Sequence, residues 1–352
     1  MTVYAPQFGA SGSDETALFL KLYSGSYVEA PRSSIFLYDK DLPFIRSETV
    51  SFGKSFQFLM DADIPEPEDF VPGDEIMGQK YAVEEGTVTI DGYLVAHKHV
   101  RRDEMQMSHF NILPRLARQH KARIGRAYDR RFMTLAARAA RAAAVTKSGL
   151  TVHSGGNRVT RSGGSSTYDT AVSAAYPLSA SGAANFRADL RQLGKQMDDD
   201  NIDPNNRWIV ITPYIRQVLL FDNTAQVFSK DYLNGVGNDI NKREIVLIEG
   251  FRLLGIANPS SNNGPLPTEN FVTGLSKYQG NFTPQASNGG PVCLAFAGSM
   301  EDHYAIGVAK YESVQNVVVY RPEKMVWLVM SFLLIGADYM HPWCCGSIEV
   351  TS

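Results

Sequence analysis

Residue types able to do chemistry gather at four places in this chain. Gly53-Lys54-Ser55 ends like a phosphate-binding loop, in which backbone N–H groups cradle phosphate and a lysine neutralises it. The full motif needs an earlier glycine five positions before its second one; position 48 is Glu and the segment reads as a strand. His97 and His99 stand at i,i+2, so both imidazoles fall on one strand face, and Glu84 or Glu85 would add a carboxylate to a metal set. No third ligand is fixed by spacing, and a solvated hairpin edge is the better reading. Asp198, Asp199 and Asp200 are a carboxylate run, but the sharp-turn glycine and closing glutamate of a calcium loop are missing. They read as a solvated helix end. Cys344 and Cys345 lie near His341, without the basic surroundings that turn a thiol into a thiolate. There is no G-x-S-x-G, no H-E-x-x-H and no dinucleotide glycine fingerprint. No catalytic constellation assembles, and no cofactor or metal is expected.

What remains is positive charge on one element. The 352-residue chain carries a formal charge of -3, which excludes a general nucleic-acid coating protein. Yet residues 109 to 144, "HFNILPRLARQHKARIGRAYDRRFMTLAARAARAAA", are dense with arginine. Pro114 suits a first helical turn, and the spacing predicts one helix from Ile112 to Val145, roughly 50 Å long. Leu113, Leu116, Ile124, Ala127, Tyr128, Leu135 and Ala139 form its apolar face. Arg115, Arg118, Lys121, Arg126, Arg130 and Arg141 lie mostly opposite, Arg123 and Arg138 at the border, and Arg131 close to the apolar stripe. Asp129 is the only acid, so i,i+4 pairing cannot neutralise the rod. Its arginines need carboxylates from elsewhere, or phosphates.

The flanking pattern is a hairpin before the rod and a mixed block after it. Val50, Phe52, Phe56 and Phe58 alternate with Ser51, Gly53, Ser55 and Gln57; Val88, Ile90, Leu94 and Ala96 alternate in a second strand. Between them runs "DADIPEPEDFVPGDE". A lone two-stranded hairpin is marginal in water, so its apolar side either folds onto its own domain or reaches a neighbouring subunit. Downstream come a Gly- and Ser-rich stretch over 148–182, a helix capped by Ser181 with Phe186, Leu190, Leu193 and Met197 in step, and the strand "RWIVIT" leading into the helix "PYIRQVLLFD". The pair "EIVLIEGFRLLGIANPS" and a nearly all-strand end follow. The order predicts an α+β chain whose C-terminus packs back on the long helix. The apolar run 325–337 is short of the roughly 20 residues a membrane span needs and reads as a buried strand. Three cysteines, two of them adjacent, argue against a disulfide framework and for a reducing compartment. The N-terminus has neither the basic nor the apolar region of a secretory signal.

Several segments together carry a likeness. "ALFLKLYSG", "FGKSFQF" followed by "VPGDEI", "VTIDGYLVA", the short helix before the rod, and "RWIVITPYIRQVLL" resemble the major capsid proteins of T-seven-like short-tailed double-stranded DNA phages. The likeness covers most of residues 16 to 350 and is most specific from 17 to 140; 148–182 and 258–290 match poorly. It implies the Hong Kong 97 capsid fold, α+β, with a spine helix, an extended hairpin loop, and peripheral and axial domains. It implies residues 1–47 as an N-terminal arm and 48–98 as the extended loop. It places 99–147 with 308–352 in the peripheral domain, and 148–307 in the axial domain.

On this likeness the chain is a structural protein and not an enzyme, found in the virion and assembled in the bacterial host cytoplasm. Its implied partners are itself, as pentamers and hexamers, a portal protein at one vertex, and packaged double-stranded DNA held without sequence readout. Only residues 1 to 15 precede the matching region, so a separate scaffolding protein is implied. No membrane is expected. The candidate intersubunit or DNA-facing residues are Arg115, Arg118, Lys121, Arg126, Arg130, Arg131 and Arg141. The intersubunit loop set is Phe52, Lys54, Phe56, Phe58, Glu66, Glu68, Asp69, Asp74 and Glu75. The likeness implies that the hairpin's partner is another chain. Lys54 and Lys80 lie in the loop, but no crosslinking is expected. A nanocompartment shell of the same fold and a nucleic-acid-binding enzyme using the basic helix are the rival readings.

Overall fold

The computed structural model describes residues 42–62, 65–67, 69, 72–73, 75–76, 78–107, 112–164, 167–221, 245, 247–259, 264–268, 274–283, 289–298 and 303–351. The expected arm, apart from 42–47, lies outside them, as do Glu68 and Asp74.

Two compact units are distinguished. The first holds the described residues of Gly92–Gly125 and Glu312–Ile335. Here β4 (Leu94–Arg101) pairs antiparallel with β13 (Val326–Tyr339), from Val326 opposite Arg101 to Leu333 opposite Leu94. On the other side of β13 lies β12 (Ile306–Arg321), whose first residues pair parallel with β1 (Ile45–Thr49) and whose far end turns into β13 through Met325 in the left-handed region, φ 53°. A short helix α1 (Arg102–Met107) precedes the long helix α2 (Ile112–Ala139). Leu116 is buried against Val100 and Val329, with Leu113, Met105 and Trp327 packed around them. Leu113, Leu116 and Ile124 recur at helical spacing, so this half of α2 is amphipathic as expected.

The second unit holds the described residues of Ser33–Asp91, Arg126–Tyr311 and Gly336–Ser352. A six-stranded sheet runs in the order β7 (Asn157–Ser162), β14 (Cys345–Thr351), β11 (Gly290–Ala297), β8 (Arg207–Ile211), β10 (Phe251–Ile256), β9 (Leu247–Ile248). β11 is antiparallel to both neighbours, and every one of its residues is buried. Helices α3 (Tyr168–Ala175), α4 (Ala180–Asp199) and α5 (Pro213–Phe221) pack on the sheet through one apolar cluster. Phe186, Leu190, Leu193 and Met197 have no exposed surface; each such side chain contributes about 1.5–3 kcal/mol by its burial. The cap of α4 is Ser179, whose hydroxyl accepts from the Gly182 N–H, and not Ser181.

Two further expectations are corrected. The long helix stops at Ala139 instead of Val145, because the chain at Gly156 crosses its end. The Gly156 N–H donates to the Ala142 carbonyl, and a Cβ at Gly156 would stand 2.0 Å from the Ala139 oxygen. Residues 145–147 instead form β5 (Val145–Lys147), paired with β6 (Leu150–His153). The alternation after residue 83 is two strands, not one. β3 (Val83–Thr89) pairs with β2 (Ser55–Asp61), the chain turns at Asp91-Gly92, and β4 joins the other sheet. At the end of the chain, β14 lies between β7 and β11 in the six-stranded sheet.

Candidate assembly surface

The β2–β3 hairpin has two unlike faces. Ser55 stands opposite Thr89 and Asp61 opposite Val83. Phe56 and Phe58 are each 9% exposed, and the Phe58 ring lies where a Cβ on Gly86 would be, 2.2 Å from its tip. That ring also meets His341 edge-on, at 6.1 Å between centroids. Near the hairpin's far end, Ala62, Ala82 and Val152 bury one another, with Met60 and Leu150 against them. One face therefore folds onto its own chain. The other does not: Leu59 is 70% and Tyr81 62% exposed, and Ile76 is 81% exposed. Phe52 leaves the expected alternation and is 94% exposed, because Gly53 at φ 93° breaks the strand before β2 begins. Isolated exposed apolar residues are ordinary; a series of them along one arm makes it a candidate docking surface. Lys54, Glu66, Asp69 and Glu75 are exposed on the same arm.

The arginines of the rod divide along its length. Arg118, Lys121 and Arg123 are exposed, and Arg115 and Arg126 are half-buried. Further on, each arginine is engaged inside the chain. Arg130 donates to the Gly264 carbonyl through Nε and Nη2. Arg131 lies over the rings of Tyr128 and Tyr278, 5.2 and 4.9 Å from their centroids, with Nη1 3.5 Å from Asp91. Arg138 donates to the carbonyls of Ser276 and Lys277. Arg141, just beyond the helix, reaches Glu349 at 2.9 Å, the carbonyls of Asn281 and Gly289, and the face of Phe282.

Three buried carboxylates anchor the second unit, and the sequence reading named none of them. Asp91 takes the Tyr278 hydroxyl at 2.6 Å, Lys277 Nζ at 2.6 Å and Arg131. Burial first, then the Asp91 charge, pushes the Tyr278 phenol far up. Glu349 has no exposed surface and holds Arg141, Arg158 and the Ser347 hydroxyl. Asp189 accepts from Arg161 at 2.6 Å and from the Tyr176 hydroxyl at 2.6 Å. Its hydrogen bonds hold Arg161 above the ordinary guanidinium range, while burial drives Tyr176 up. One of the three was detectable: Asp189 follows Phe186 at i+3 and precedes Leu193 at i+4, an acid on an apolar helix face. Asp91 and Glu349 sit in strand-like sequence with no such marker.

The other chemical candidates fall apart. Gly53-Lys54-Ser55 is an exposed bend leading into a strand, so no helix N-terminus awaits a phosphate. His97 and His99 lie 6.4 Å apart on β4, and no group of three or more metal-ligating side chains occurs among the described residues. Burial, then Arg321, His97 and Lys324, lower the His99 pKa; burial, then Arg123, Lys98 and His97, lower that of His120. Asp198 pairs with the buried Arg207, and Asp200 accepts from Asn157. All three cysteines are buried, and burial pushes the Cys345 thiol up to about 12, far from a reactive thiolate.

Comparison with known proteins agrees with this architecture. The capsid structure of cyanophage P-SCSP1u matches with a TM-score of 0.73 at 21% identity, over 97% of this chain and 96% of that one. The mature capsid of bacteriophage PhiM1 matches with a TM-score of 0.69 at 14% identity, over 94% and 92%. At these identities the likeness shows the fold, which is the Hong Kong 97-type capsid fold. No curated protein matches the sequence. The sequence model of the Gp10A-like major capsid proteins matches residues 67–332. That is most of the chain, and with the capsid fold around it the chain belongs to the Gp10A-like family, a major capsid protein of a phage virion.

Proposed function

We propose that copies of this chain close into an icosahedral head as pentamers and hexamers, with the hairpin of each copy laid on its neighbour. The observation that carries this reading is the two-faced hairpin. Phe56 and Phe58 are satisfied within the chain, while Phe52, Leu59, Ile76 and Tyr81 present apolar surface to solvent. Closed symmetry repeats that contact around every ring, so modest contacts add up. In this reading 1–47 is the arm, 48–98 the extended loop, α2 the spine of a peripheral domain, and 148–307 the bulk of an axial domain. The shell works with a separate scaffolding protein and a portal, and it has no catalytic role.

The exposed Arg118, Lys121 and Arg123 are the groups placed to meet DNA phosphates, without base readout. Arg115 and Arg126 stand second to them. Arg130, Arg131 and Arg141 contribute to the fold instead, since their guanidinium groups are engaged within the chain. Electron microscopy of the protein expressed with and without a scaffolding partner tests the reading. Rings or shells tens of nanometres or less across, dependent on the partner, are expected; a monomer or dimer under every condition refutes it.

A further inference from the structure

A cavity of about 300 Å³ opens in the first unit, lined by Arg102, Met105, Gln106, Tyr320 and Trp327. The Tyr320 and Trp327 rings lie 4.9 Å apart and inclined by 46°. The Arg102 guanidinium sits 5.8 Å above the Tyr320 ring, and its Nη1 is 3.5 Å from the Tyr320 hydroxyl. Neighbouring Arg101 is paired with Asp103 at 2.5 Å, whereas Arg102 is exposed and makes no ion pair among the described residues. Two aromatic rings beside a cation that has no acidic partner among the described residues select a ligand that is both flat-sided and acidic.

We infer that this cavity receives Pro65-Glu66-Pro67 from the hairpin loop of a second copy of the chain. The inference rests on the shell reading and names the seat of the loop in it. Proline-rich segments dock into aromatic grooves in the polyproline II form, with little conformational entropy to lose. The rings of Pro65, Pro67 and Pro72 fix φ, and Pro67 biases Glu66 toward extended backbone. Glu66, Pro67, Asp69 and Pro72 are exposed, and the Glu66 carbonyl accepts from the Gln79 side chain on the returning stretch of chain. The pyrrolidine rings lie against Tyr320 and Trp327 while Glu66 takes a charge-assisted hydrogen bond from Arg102. A cavity at the small end of ligand sites takes two or three side chains, which matches this stretch. DNA fits less well, since a single guanidinium beside two rings gives little phosphate neutralisation.

The test titrates the full-length unassembled chain with a synthetic peptide of residues 61–76 and follows tryptophan fluorescence, with Trp327→Phe to show which tryptophan reports. Arg102→Glu is expected to weaken binding by about tenfold or more. A peptide carrying Glu66→Lys and Asp69→Lys is expected to prefer the Arg102→Glu chain over the wild type. In particles, Arg102→Glu is expected to block closure, and combining it with Glu66→Lys and Asp69→Lys to restore it. No peptide binding, or binding untouched by Arg102→Glu, overturns the inference. So does a result in which Arg102→Glu abolishes binding of a scaffolding protein but not of the peptide. Normal shells from the Arg102→Glu chain overturn the receptor assignment alone. A wild-type chain that never forms shells sinks the underlying reading, while the peptide titration still reports separately on the cavity.

Discussion

Arg141 Nη2 and Glu349 Oε2 stand 2.9 Å apart, tying the residue just past the long helix to the last strand of the chain. The carboxylate has no exposed surface, and Arg158 approaches it from β7 at 2.7 Å. Removing one partner of such a buried group leaves the remaining charges uncompensated. Glu349→Gln is therefore expected to lower stability by about 3–5 kcal/mol. A denaturation midpoint close to that of the wild type would show that water replaces the carboxylate.

Glycine is required where β13 passes the end of the hairpin. A Cβ at Gly336 would lie 1.9 Å from the Thr89 carbonyl and 2.6 Å from the Ile90 Cα, both backbone atoms with no soft rotamer to yield. Gly336→Ala should cost more than the roughly 1 kcal/mol of an ordinary destabilising substitution. Soluble Gly336→Ala protein melting with the wild type would contradict this.

The first unit should lose stability in mild acid. The pKa values of His99 and His120 are lowered below the ordinary 6.5, first by burial and then by cations, among them Arg321 and Lys324 near His99 and Arg123 and Lys98 near His120. Below 6.5 the unfolded chain binds protons that the folded chain still refuses, so stability is full only above the ordinary value of 6.5 and falls as pH drops from there through the lowered values. His120→Phe should flatten that slope in urea melts between pH 7 and 5. An unchanged slope would place the titration elsewhere.

Charge reversal on the exposed half of the rod should spare the fold. Arg118→Glu with Lys121→Glu removes two solvated cations. The chain should melt normally yet form heads that retain less DNA, with weaker salt dependence of DNA binding. Full, stable heads from this double variant would remove the DNA role. Reversing Arg130 is a poor substitute, because its bonds to Gly264 belong to the fold.

Shortening the hairpin should separate folding from closure. Replacing residues 63–81 by Asn-Gly joins Ala62, whose backbone N–H already donates to the Ala82 carbonyl at 2.9 Å, to Ala82 through a favoured two-residue turn. The product should fold and fail to close. Wild-type-sized shells would refute the intersubunit role of the loop.

Much of this was legible in the order of residues. Apolar spacing of 3.6 placed the helix through Leu113, Leu116 and Ile124, and the Phe186 to Met197 series placed α4; these are local periodicities that burial merely completes. The hairpin, the strand in the apolar run at 325–337 and the strand leading into Pro213 were visible for the same reason. Local pattern could not say where α2 ends, since Gly156 stops it from outside the helix. Nor could it say that β4 leaves the hairpin, or that β14 enters the six-stranded sheet, because strand pairing is chosen by distant partners. The arginines show the division most clearly. Their number and their lack of acids at i,i+4 were plain in the sequence. Which of them remain exposed was decided only when the fold brought Asp91, Glu349 and the Gly264 carbonyl to the far half of the rod. A charge is neutralised by whatever group is nearest in space, and nearness between residues two hundred positions apart exists only in the folded chain.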